Sequence, residues 1–177
     1  MKVLKQKKGL ALLARRNLGE GGSSSKGFTL IELLVVIVII AILAVTVYVA
    51  LDPGKRIKDA KDSRRVTDMN SLLTGIQEYI VDNKGALPTG LTTNMSEKQL
   101  GSAATGCTLS FGGCNVAGAT DCVNLSTPLA KYLKTMPIDP GTASAALTQY
   151  TVQVDANNIV TIRACAAEGG TNLSVSR

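Results

Sequence analysis

Three apolar patterns succeed one another along the chain. Residues 28–51 are apolar almost without a break: residues 33–51 hold no charged side chain, and Glu32 is the single one in the whole stretch. At 1.5 Å per residue a helix of this length crosses a hydrocarbon core of roughly 30 Å, which predicts a transmembrane helix. From residue 55 to 82 the pattern changes. Val66, Met69, Leu73, Ile76 and Ile80 recur at spacings of three and four, predicting an amphipathic helix with one stripe to bury. Asp52-Pro53-Gly54 separates the two segments, because proline lacks a backbone donor and restricts the residue before it; Asp52 is the expected N-cap and Pro53 sits in the first turn. Asn83-Lys84-Gly85-Ala86-Leu87-Pro88 gathers turn formers and ends the second helix. Further on, Tyr150, Val152 and Val154 alternate with polar residues, Asp155-Ala156-Asn157-Asn158 supplies a turn, and Val160, Ile162 and Ala164 resume the alternation. This is a β-hairpin pattern.

The stretch up to Leu125 is rich in Gly, Ser, Thr and Ala and reads as a surface loop region, with one helical turn expected at residues 96–100. Thr127-Pro128 is read as the start of a short helix reaching Lys134. The expected fold class is therefore α+β: a long N-terminal helix, apolar in its first half and amphipathic in its second, packed on a small antiparallel sheet. Lys55/Asp59, Lys58/Asp62 and Arg64/Asp68 fall at i,i+4. Such pairs contribute only about 0.2–0.5 kcal/mol each, so a solvated charged face is the favoured reading.

Charge divides the chain in the same way. Residues 1–27 contain seven basic side chains (Lys2, Lys5, Lys7, Lys8, Arg15, Arg16 and Lys26) against Glu20 alone, a balance of +6. The whole chain is also +6, so residues 28–177 carry twelve groups of each sign and are neutral. The basic character belongs to the N-terminal segment, which argues against nucleic-acid binding by the remainder. Within that segment, residues 10–14 followed by Arg15-Arg16 are read as a short amphipathic surface helix, and residues 21–25 as a flexible approach. Here the basic region precedes a long apolar run, unlike an ordinary secretory signal, so the apolar segment should be retained. A carboxylate inside such a span costs about 2.5–3.5 kcal/mol on insertion scales, so Glu32 needs either a partner or a place near headgroups and water.

The run Gly27-Phe28-Thr29-Leu30-Ile31-Glu32-Leu33-Leu34-Val35-Val36 resembles the class III signal of type IV prepilins and type II secretion pseudopilins. The resemblance implies a leader, residues 1–27, kept in the cytoplasm and cut off between Gly27 and Phe28 by a prepilin peptidase that also methylates the new N-terminal Phe28. It implies that residues 28–51 span the membrane and later form a filament core, that residues 52–83 continue the helix, and that residues 84–177 form an extracytoplasmic head. Glu32 would then meet the N-terminal amine of a neighbouring subunit, which supplies the partner its burial demands. Implied partners are identical or related pilin subunits and the assembly machinery of a pilus or a secretion system in the inner membrane. Final locations differ: an extracellular pilus or a periplasmic pseudopilus. Many members of that family kink the apolar helix with a proline near the place of Val49, whereas this chain delays it to Pro53.

Leader-in orientation places Cys107, Cys114, Cys122 and Cys165 outside the cytoplasm, where two disulfides are favoured. Of three possible pairings, Cys107–Cys114 with Cys122–Cys165 is preferred, because the second bond would tie the loop to the last strand. A zinc site is disfavoured, since there is no histidine and no close cysteine pair. Met136-Pro137-Ile138-Asp139-Pro140-Gly141 is similar to the turn before the final hairpin of major pseudopilins, where a nearby loop can bind calcium. Around Asp139 there is no dense set of oxygen ligands, so a rigid turn is expected and neither metal nor cofactor. Without histidine, Ser-His-Asp and Cys-His catalysis are impossible within the chain, and no phosphate loop appears. The sequence favours a structural filament subunit over an enzyme; a membrane-anchored binding domain that never polymerises is the reading from a different class.

Overall fold

A change from a featureless apolar helix to an amphipathic one organises the structure, a computed structural model that describes residues 27–170 and 172–177. The expected surface helix at residues 10–14 and the approach at 21–25 lie outside the described residues. The chain divides into two compact units, Met1–Thr46 and Val47–Arg177.

Helix α1 (Leu30–Leu51) has no buried residue, and its side chains are apolar on every face. A helix apolar all round, with none of its residues buried among the described residues, has the character of a membrane span. Its 22 residues extend for about 33 Å at 1.5 Å each. Asp52 interrupts the helical backbone with φ 39°, and its Oδ1 accepts the Lys55 N–H at 3.2 Å, so it caps α2 (Pro53–Asp82) with Pro53 in the first turn. At the other end Lys84 (φ 57°) and Gly85 (φ 91°) turn left-handed. Gly85 N–H donates to Ile80 O and Lys84 N–H to Val81 O, the paired bonds of a Schellman terminus, so the turn formers stop the helix where expected.

The stripe of α2 is rotated from its expected line. Met69, Leu73 and Ile76 are buried as predicted, joined by Leu72, but Val66 is 38 % exposed and its neighbour Arg65 is buried instead. Ile80 packs only partly. The stripe rests on strands β4 (Val160–Ala164) and β5 (Leu173–Ser176) of a five-stranded sheet ordered β2-β1-β3-β4-β5. Strand β3 (Tyr150–Val154) pairs with β4 from Tyr150↔Ala164 to Val154↔Val160, which forms the predicted hairpin. That hairpin does not end the sheet, because β5 follows. Residues 96–100 are not a helical turn; they belong to β1 (Met95–Leu100), which pairs antiparallel with β3 and parallel with the two-residue β2 (Cys122–Val123). Residues 126–132 form successive turns rather than a helix, with Leu133 packed on Gly75 of α2.

Tyr150, Val152 and Val154 face the core under α2, so Thr151, fully buried, points to the other face of the sheet. There the excursion between β1 and β2 covers it. Leu109 and Val116 bridge each other, and a turn closed by Cys114 N–H to Phe111 O lies between them. This geometry corrects the expected disulfides. The turn carries Cys114 away from Cys107 and onto the end of β4, where it bonds Cys165; Cys107, whose N–H donates to Ala119 O, bonds Cys122 in β2. A link from the loop to the hairpin exists, but Cys114 makes it. At Gly112 (φ 60°) a side chain would collide with the Cys165 carbonyl, so the tip needs glycine there. The two bonds close segments of 15 and 51 residues. Loop-closure entropy then predicts that removing Cys107–Cys122 by double serine substitution costs about 3 kcal/mol, and removing Cys114–Cys165 about 4 kcal/mol. Urea unfolding of each variant checks this, and losses below about 1 kcal/mol would contradict it.

Candidate functional site

The start of α1 gathers the predicted functional residues. Thr29 is followed three residues later by Glu32, directly before an apolar run, and the two form a capping box. Glu32 N–H donates to Thr29 Oγ1 at 3.2 Å, while Glu32 Oε2 accepts from the Thr29 N–H at 2.8 Å and from its hydroxyl at 2.9 Å. Two donors that a helix start leaves unpaired are thereby satisfied. Among the described residues nothing bonds Glu32 Oε1. The carboxylate is exposed, and it lines a shallow hollow with Phe28, Ile31, Val35 and Val36. Phe28 is 90 % exposed and Gly27 is exposed beside it. The cap fixes one carboxylate oxygen and leaves the other open to a cation on an otherwise apolar surface.

The four cysteines lie in the second unit, all in disulfides, and take no part in this site. Asp139, the other residue weighed from sequence, is enclosed: its side chain has no exposure and is bridged by Arg65, with Nε to Oδ2 at 2.5 Å and Nη2 to Oδ1 at 2.9 Å. Oδ1 also accepts the Gly141 N–H at 2.8 Å, which closes the expected turn. Arg65 further bonds Asp62 Oδ1 at 2.6 Å. Its hydrogen bond to Asp139, foremost, raises the Arg65 pKa against the opposing effect of burial. Partial burial pushes the Asp62 carboxyl up, but the amides of Glu168 and Gly169 together with Arg65 outweigh it and hold it below its ordinary range. Burial, then the Asp68 carboxylate at 3.0 Å, raise the Tyr150 phenol far above its usual range. These groups pair with one another and clamp α2 to the loops at residues 137–141 and 166–169. They form a structural lock with no open chemistry.

Of the i,i+4 pairs, only Arg64–Asp68 approaches, at 3.8 Å. Two things escaped the sequence reading. The Thr29-x-x-Glu32 box was legible as a cap signature, and Arg65 stands at the stripe spacing four residues before Met69. Its partner 74 residues away left no local sign.

Residues 22–48 match the family model of the prokaryotic N-terminal methylation motif. No curated protein and no solved structure matches the chain. The motif implies processing by a prepilin peptidase and assembly with pilin subunits, and the apolar α1 fits membrane anchoring. With its apolar first helix and its second helix packed on a small, mostly antiparallel sheet, the chain carries at residues 22–48 the class III signal of type IV pilins and pseudopilins.

Proposed function

We propose that this chain is a structural subunit of a type IV pilus-like filament. The leader is cut between Gly27 and Phe28, Phe28 becomes the methylated N-terminus, and residues 28–51 hold the subunit in the membrane with residues 84–177 on the far side from the leader. On assembly the apolar helices gather at the filament axis and the heads face outward. The mechanism is association, with no reaction of its own: helix packing gives cohesion, and the Glu32 carboxylate receives the N-terminal ammonium of a neighbour, which sets axial register. The observation that carries the reading is the methylation motif over residues 22–48, running into a helix whose apolar faces are left uncovered by the described residues.

A secretion pseudopilin is the second reading, favoured by the turn at Asp139-Pro140-Gly141 that leads into the hairpin. Deleting the gene separates the two. We expect loss of surface fibres with protein export intact; exported proteins accumulating in the cell with fibres unchanged would shift the assignment to a pseudopilus. If neither changes, the chain is better read as a membrane-anchored domain that does not polymerise.

A further inference from the structure

Beyond Leu51 the chain turns abruptly from apolar to cationic. Lys55, Arg56 and Lys58 are exposed, and among the described residues none of them joins an ion pair. The nearby acids are mostly engaged elsewhere. Asp52 caps α2, Asp62 holds Arg65 and the Glu168 and Gly169 amides, and Glu168 is bridged by Lys61 at 2.7 Å. Asp59 is exposed and pairs with none of the three. Of the three side chains only that of Arg56 makes a hydrogen bond among the described residues, its Nε donating to Leu51 O at 3.1 Å and leaving its terminal nitrogens open. Cations in the first turns of a helix oppose its macrodipole, so the energetics of α2 do not explain them. Two amphipathic signals flank them: Tyr48, in the last turn of α1, is 67 % exposed, and Ile57 is 59 % exposed.

An aromatic ring and cations at the end of an apolar helix match the chemistry of a membrane–water interface. The 22 residues of α1 already cover a core of roughly 30 Å, and residues 55–58 follow Leu51 by only four to seven positions along the chain. We infer that Lys55, Arg56 and Lys58, seated by Tyr48 and Ile57, bind the phosphates of anionic phospholipids in the leaflet at the Leu51 end while the subunit waits in the membrane. This rests on the membrane-anchored reading above. Zwitterionic lipids offer the same phosphate but carry their own cation, so anionic lipid should be preferred.

The test uses the protein purified from its own cells, placed in nanodiscs, with spin-labelled phosphatidylglycerol and phosphatidylcholine reporting the first lipid shell. The wild-type chain is expected to prefer phosphatidylglycerol by about fivefold or more, since each cation near an anionic surface is worth about that factor and Asp59 offsets only one. The Lys55→Gln/Arg56→Gln/Lys58→Gln variant should lose most of that preference, and the comparison cancels any contribution of residues 1–27. Insertion with equal preference in both chains would overturn the inference while leaving the membrane reading intact. So would a variant that keeps its lipid preference but fails to polymerise, which would give these cations to a second copy. Binding of inorganic phosphate in phosphatidylcholine discs would assign them to the free ion instead. Failure to insert in any lipid would overturn the membrane reading and this inference with it.

Discussion

Glu32→Ala is expected to remove the subunit from filaments while leaving it in the membrane. The carboxylate costs about 2.5–3.5 kcal/mol within an apolar span, so losing it does not hinder insertion. What is lost is the acceptor for a neighbour's ammonium, a charge-assisted contact worth about 1.5–3 kcal/mol, or roughly tenfold to hundredfold in incorporation. Alanine also removes the cap on the Thr29 N–H, 2.8 Å away. Glu32→Gln separates the two effects, because glutamine can serve the same box without charge. Fractionating cells into membrane and sheared-filament pools gives the answer: both variants should be abundant in the membrane and depleted from filaments. Glutamine incorporating as well as glutamate would mean that capping, and not charge, is what Glu32 supplies.

Asp139→Ala is expected to destabilise the head by about 3–5 kcal/mol, because it strands the Arg65 guanidinium, 1 % exposed, without its bidentate partner. Asp62 still reaches Arg65, which places the expected loss toward the lower end of that range. Replacing both partners, Arg65→Met with Asp139→Leu, should recover most of the loss, since an ion pair of this kind gains little over apolar groups of similar size. Chemical unfolding of the two single variants and the double variant measures the coupling. Additive losses would show that the pair does not act as a unit. The depressed Asp62 carboxyl adds a pH dependence of known sign: its contribution is complete above its ordinary value of 3.8 and is lost as the pH falls through the lower folded-state value.

What the sequence made legible was what local chemistry decides. Alternation from Tyr150 to Ala164 with a turn between specified the hairpin, and Lys84-Gly85 specified where α2 stops. Strand β1 was misread as helical because Met95-Ser96-Glu97-Lys98-Gln99-Leu100 has no β-branched residue; pairing with β3 makes it a strand. Strands β2 and β5, at two and four residues, are too short to show a period. The stripe of α2 was drawn through Val66 because a buried arginine is improbable until its carboxylate is known, and Asp139 lies 74 residues on. Disulfide pairing failed for a similar reason: the turn at Phe111–Cys114 and the Leu109↔Val116 bridge, which separate Cys107 from Cys114, exist only in three dimensions. At the functional end the methylation motif was plain, whereas the capping role of Thr29 went unread behind it.

Everything proposed for assembly depends on a single cut. The intact mass and N-terminal peptide of the protein purified from its own cells test it directly. The account predicts a chain that begins at Phe28 with one methyl group on its amine. A chain still carrying residues 1–27 in cells with an active prepilin peptidase would contradict it, and a static membrane-anchored domain would become the better description.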